Sequence, residues 1–386
     1  MFQYRFHTGA IQFLNWRGAA IPCEVEAGLK WGSHQPEGIA PIMALTEITE
    51  HLVKTARHTT FYLAAGPEHG TPIFFLHGWP QLSITWRHQL PAFAALGFRA
   101  IAPDMRGYGR SSTYTTHAAF AQREIVADML ELADALKIEK AIWVGHDWGS
   151  PVVSNIASHH PERCIAVANF CTPYHTIDYS VEATIELADR TLYPAGKYPA
   201  AQWEYLRFYE ENFEKASRVF EANVDNTVRA LFRAGNPEGR GKPSVTASVR
   251  HNDGWFGGAD AAPAAPRDPK ILTEADEHAY ASALKRNGFF GPDAWYMNHK
   301  ANAAYAAEAK NSGYLDMPAL LLEAEYDYVA DCAGSRLSEP ARKYCRDFSI
   351  KRVKSGHWMM EECPAEVNAH IAQWLAVRAP GVWVVK

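Results

Sequence analysis

The stretch from residue 141 to residue 159 constrains this chain more than any other. An uninterrupted apolar run, AIWVG, meets a turn bounded by Gly145 and Gly149, and the helical run VVSNIASHH follows almost at once. A strand that is apolar at every position belongs in a sheet covered on both faces. A turn this short between strand and helix needs small residues at its ends. PIFFLHG (72–78) and FRAIAPD (98–104) also read as strands, the first a continuous apolar run, and HTTFYLAAG (58–66) reads as another. Ahead of residue 141, Ile125, Met129, Leu132 and Leu136 are spaced by four, three and four, which puts them on one face of a helix. Strands alternating with helices predict an α/β fold: a mostly parallel central sheet flanked by helices, joined by right-handed crossovers.

The alternation stops near Pro173. From there to Lys300 the chain reads as helical and aromatic-rich, with a Gly- and Pro-punctuated stretch at 235–269 that predicts a long flexible loop. Strand-like sequence returns at 318–327 and weakly at 348–353, and AEVNAHIAQWLAV (365–377) closes as an amphipathic helix. The expected layout is an extension over 1–50, an α/β core over 51–172 and 301–386, and an inserted helical lid over 173–300. With 386 residues, 47% of them hydrophobic, the chain can bury a large core. A net charge of −5 without long like-charged runs argues against a nucleic-acid partner. No run reaches the roughly 18 apolar residues of a membrane span. Cys23, Cys164, Cys171, Cys332, Cys345 and Cys363 form no C-x-x-C pair, so reduced thiols and a cytoplasmic location are expected.

GHDWG has the form of a nucleophile elbow, in which the turn pushes its central side chain into a site. The central residue is Asp147. Serine at this place attacks acyl carbon, whereas a carboxylate suits displacement at saturated carbon and leaves an alkyl ester on the protein. The plainer reading makes Asp147 a cap for the following helix. His77-Gly78-Trp79-Pro80 ends an earlier strand, where elbow hydrolases draw one backbone N–H of an oxyanion hole; the residue after the nucleophile supplies the other. Trp79 and Trp148 are those donors. Asp327 at the end of PALLLEAEYD and His357 in KSGHW complete the order nucleophile, acid, base, with Glu325 and Asp331 as weaker acids. DMRGYGRS (104–111) lacks phosphate-loop spacing and reads as a structural turn. His159-His160 lacks metal-ligand spacing, and no metal site is read.

Together HGWP, DMRGYGRS, GHDWGS, the E-x-D strand end and GHW resemble the soluble epoxide hydrolases of the α/β-hydrolase fold over residues 50–380. The resemblance implies an apolar epoxide and water as substrates, no cofactor, and two lid tyrosines that donate to the epoxide oxygen. Tyr296, in Trp295-Tyr296-Met297-Asn298, matches the second. Tyr205, in Trp203-Glu204-Tyr205, matches the first, with Tyr209 one helical turn later as its competitor. Haloalkane dehalogenases resemble the chain in fold, in the Asp nucleophile and in the neighbouring Trp148, which could hold a halide, but they usually carry Asn after HG, and W-Y-x-N favours the epoxide. A ligand-binding receptor on this fold is a third possibility, though such receptors generally lack a triad member.

Overall fold

The computed structural model describes residues 46–174 and 180–383. Its strands are β1 (Thr49–Lys54), β2 (Thr59–Ala65), β3 (Thr71–Leu76), β4 (Phe98–Pro103), β5 (Ala141–His146), β6 (Cys164–Phe170), β7 (Ala319–Ala324) and β8 (Phe348–Val353). They form one sheet in the order β1-β2-β4-β3-β5-β6-β7-β8. The pairings of β1 with β2 and β2 with β4 are antiparallel, and the other pairings are parallel. The mostly parallel sheet expected from the apolar runs is therefore present. β5 and β7 are buried at every residue because helices cover both faces.

The sequence reading missed two strands. β6 mixes polar Asn169 into its run, and β1 is an edge strand with an exposed pattern, so neither carries a strong apolar signal. β1 also moves the start of the core to Thr49, inside the extension expected over 1–50; the rest of that extension lies outside the described residues, as does Cys23.

The helix Gln122–Ala135 buries Ile125, Met129 and Leu132, and Leu136 caps its C-terminal end. The closing helix runs Pro364–Arg378. Between β6 and β7 lie the helical elements expected of the insertion, including Glu204–Glu221, which is broken at Asn212, and Glu274–Asn287. The stretch 235–269 is not a free loop. Its turns bury Ser244, Thr246, Ala247 and Trp255, and the Trp255 ring lies 6.1 Å from that of Trp79. Glycine and proline there shape tight turns that carry an aromatic anchor inward. No helix among the described residues is long and apolar enough to cross a membrane.

DMRGYGRS is a bracing turn. Asp104 Oδ1 accepts from the backbone N–H and hydroxyl of Ser83, while the N–H of Met105 donates to His77 Nε2 at 2.9 Å. Arg106, 2% exposed, forks onto Asp128 at 2.6 and 2.7 Å, and Arg57 reaches the same carboxylate at 2.6 Å. The turn thus fixes the end of β3 from behind. Removing the carboxylate would leave a buried guanidinium uncompensated, so Asp128→Ala should cost about 3–5 kcal/mol of stability in urea unfolding. A loss under about 1 kcal/mol would show that Arg106 does not depend on this pair.

Candidate active site

β5 delivers Asp147 into a left-handed backbone turn with φ of +50°. That conformation costs an L-residue roughly 1–3 kcal/mol and persists only where the surroundings enforce it. Close backbone approach enforces it here: a Cβ on Gly149 would stand 2.2 Å from the carbonyl oxygen of Leu76, and one on Gly78 would stand 2.3 Å from Asp147 Oδ1. The side chain is aimed at the cavity, which goes beyond what a helix cap requires.

The backbone N–H of Trp79 donates to Asp147 Oδ1 at 2.7 Å, and the N–H of Trp148 also donates to this carboxylate. Burial raises the Asp147 pKa, while His357 and these two N–H groups pull it back toward the ionised form. His357 Nε2 lies 3.7 Å from Asp147 Oδ2, and its Nδ1 meets Asp327 Oδ2 at 2.7 Å. Asp327 Oδ1 accepts from the N–H groups of Val329 and Ala330, which fixes the carboxylate plane. Burial alone would raise the Asp327 pKa, but the imidazole and these hydrogen bonds hold it well below the usual carboxylate range. The alternative acids point elsewhere: Glu325 pairs with Arg240, and Asp331 accepts from the N–H of Gly334.

The insertion places Tyr205 and Tyr296 beside Asp147, their rings 5.8 Å apart. Neither hydroxyl hydrogen-bonds to another described residue. Burial and the nearby Asp147 charge push both phenols above 10, so both stay protonated at neutral pH. Tyr209 is differently employed: its hydroxyl donates to Asp293 at 3.1 Å, and its ring stacks on Tyr296 at 4.5 Å. Of the two candidates for the first lid tyrosine, Tyr205 is the one with a free hydroxyl.

Two cavities meet at Asp147, Tyr205 and His357. The wide one, about 620 Å³, runs past Trp79, Trp255 and Tyr296. The narrow one, about 120 Å³, runs past Trp148, Val181 and His299.

Sequence reasoning missed three contributors. The ring nitrogens of His146 face two acceptors, Gln81 Oε1 at 2.8 Å and the carbonyl oxygen of His357 at 2.9 Å, and the ring so holds the backbone of His357 in place. Asp293 is fully buried and receives Trp79 Nε1–H, the Tyr209 hydroxyl and the Ser217 hydroxyl, with a pKa pushed up to about 7 by burial. A carboxylate inside the apolar run FFGPDAWY was the available signal for Asp293. For His146 and Gln81 there was none, because their partners are remote in sequence. Ligand atoms of His146, Cys171 and His357 come within 4.8 Å of one another. Both nitrogens of His146 are already bound, the Cys171 thiol donates to the His357 carbonyl, and His357 serves Asp327, so the trio is better suited to holding the histidine than a metal.

The match to known proteins begins at the level of the fold. Residues 71–364 match the family model described as alpha/beta hydrolase fold. Bifunctional epoxide hydrolase 2 of Sus scrofa is 31% identical over 310 residues, covering 80% of this chain and 52% of the relative. The chain therefore spans about half the length of such bifunctional relatives. Epoxide hydrolase A of Mycobacterium tuberculosis is 30% identical over 341 residues, covering 85% of this chain and 97% of the relative. The crystal structure of epoxide hydrolase A from Mycobacterium thermoresistibile superposes with a TM-score of 0.68 at 28% identity, covering 85% of this chain and 98% of that one. Within the α/β-hydrolase fold, this chain belongs to the epoxide hydrolase family.

Burial pulls the His357 pKa down, but Asp327 and Asp147 outweigh it and raise the value. The free-base ring is present above that pKa. In ¹⁵N NMR the imidazole should titrate above the ordinary value of about 6.5, and Asp327→Asn should lower the midpoint. A midpoint at or below about 6.5 in the intact protein would show that burial prevails.

Proposed function

We propose that the protein hydrolyses an apolar epoxide to a vicinal diol through an ester on Asp147. The observation that carries this reading is the pair of free phenols, Tyr205 and Tyr296, set beside a buried carboxylate nucleophile. Opening an epoxide generates an alkoxide, a poor leaving group that needs a proton. Asp147 Oδ2, the oxygen not bound by Trp79, attacks a ring carbon; that C–O bond breaks, and the ring oxygen takes a phenol proton. His357 Nε2 then removes a proton from water, whose oxygen adds to the ester carbonyl, with Asp327 orienting the ring. The N–H groups of Trp79 and Trp148 receive the oxyanion. Collapse releases the second diol oxygen, protonated by His357, and the remaining water proton restores the phenol.

The dehalogenase alternative needs a pair of N–H donors for halide. The indole N–H of Trp79 is committed to Asp293 and that of Trp295 to the carbonyl of Arg106, while that of Trp255 has no partner among the described residues, so what favours the epoxide is the pair of phenol O–H groups beside Asp147. A receptor would have no use for a complete triad. Residues 173–300 act as the lid in this reading. A cytoplasmic location is supported by the free state of the cysteines among the described residues.

A single turnover in heavy-oxygen water should give unlabelled diol, with the label left in the Asp147 carboxylate. His357→Gln should still form the ester and stall there. Immediate label in the diol would rule out the covalent route.

Replacing Tyr205 or Tyr296 with Phe removes one hydrogen bond to a developing charge and keeps the ring. Each change should cost about 1.5–3 kcal/mol, roughly ten- to two-hundredfold in kcat/KM, and the double variant should be nearly inactive. Parental rates in the double variant, or a preference of the parent for haloalkanes, would favour the dehalogenase reading.

A further inference from the structure

The narrow cavity is lined largely by apolar groups such as Pro151, Val181, Leu206 and Leu337, yet it also holds polar atoms with no partner. Gln122 is 1% exposed, lines this cavity, and neither its amide oxygen nor its amide nitrogen has a hydrogen-bond partner among the described residues. His299 lines the same cavity, its Nε2 is sealed from solvent and equally unpartnered, and its ring stands 6.3 Å from that of Trp148. The neighbouring Asn302 is spoken for, since its Oδ1 accepts from the backbone N–H of Gln122 at 2.8 Å.

Two buried polar side chains left unpaired at the wall of one largely apolar cavity are unfavourable unless a ligand group satisfies them. A hydrocarbon substituent would leave them unsatisfied. Gln122 offers both a donor and an acceptor, and a neutral imidazole offers Nε2 in either role. Burial lowers the His299 pKa to about 4, so the ring is neutral at pH 7. The nearest charges on the facing helices, Arg207 with Glu182 and Glu210, are already paired with one another. A group that is neutral and both donates and accepts fits this set: a hydroxyl. The volume of about 120 Å³ limits the substituent to a short one, since a dry cavity of roughly 150 Å³ accommodates benzene.

We propose that the narrow cavity is a subsite for a short epoxide substituent ending in a hydroxyl, received by the Gln122 amide and His299 Nε2. The subsite rests on the proposed epoxide chemistry at Asp147, from which both cavities diverge. The preferred substrates are then asymmetric epoxides, with a bulky apolar group toward Trp255 and a short hydroxylated group toward Gln122.

The test compares isosteres. Phenyl epoxides carrying hydroxymethyl or ethyl on the second ring carbon, and the pair one methylene longer, are assayed for kcat/KM. The matching alkenes, which cannot react, are assayed for affinity by calorimetry. The parent should use and bind the alcohol of at least one pair as well as its ethyl isostere or better. Gln122→Met and His299→Phe should each shift that ratio tenfold or more toward the ethyl member. Because the ratio is taken within each variant, a general loss of activity cancels. Failure to open any epoxide would remove the catalytic reading, while the alkene affinities still judge the subsite. A parent that favours the alkyl member of both pairs, or ratios untouched by both substitutions, would overturn the proposal; if neither variant folds, the parent's own alkene preference decides.

Discussion

Everything in this site depends on holding one carboxylate charge out of water. Asp147 sits where burial disfavours its ionised form, and the fold supplies the compensation in three directions: two backbone N–H groups, an imidazole, and a cavity face left open. The cost of burying such a charge without partners is several kcal/mol. The left-handed turn at φ +50° allows the carboxylate to meet the N–H of Trp79 while still facing the cavity. The glycines at 78 and 149 are consequences of the same demand, because a methyl on Gly78 would collide with Asp147 and one on Gly149 with the carbonyl of Leu76 at the end of β3.

A second set of contacts ties the insertion to that turn. Asp293, from the insertion, grips the indole of Trp79, whose own backbone faces Asp147, and the hydroxyl of Tyr209, whose ring stacks on Tyr296. The wall that carries the phenols and the wall whose backbone N–H meets Asp147 thus share one buried carboxylate. Trp295 adds a link to the Arg106 turn, which braces the end of β3 from the opposite side. Groups that approach the cavity from different parts of the chain are held in one frame.

Legibility followed the range of the interaction. Strand β5, the elbow and the helix after it are local events, driven by an apolar run and two glycines, and were readable from a short window. β1 and β6 were not, because an exposed edge strand and a strand interrupted by Asn169 lack the continuous apolar pattern of their neighbours. The stretch 235–269 misled for a physical reason. Glycine and proline indicate a turn but do not reveal that Trp255 between them is buried against Trp79 and Tyr205.

The sequence by itself determined where two carboxylates and an imidazole stand in the fold: Asp147 in an elbow, Asp327 just past a strand, His357 on the loop after the next strand. Those assignments need only local backbone geometry, which short-range sterics dictate. What only the tertiary structure decided are the choices between residues of equal local standing. Tyr205 and Tyr209 lie one turn apart on the same stretch, and Asp293, supplied from 84 residues away, occupies the hydroxyl of one and leaves the other open. Asp327 was separated from Glu325 and Asp331 by the reach of an imidazole 30 residues away. Gln122 and His299 became a pair only because the folded chain walls one cavity with both. Each of these depends on which distant group arrives first at a buried polar atom, and periodicity along the chain carries no record of that.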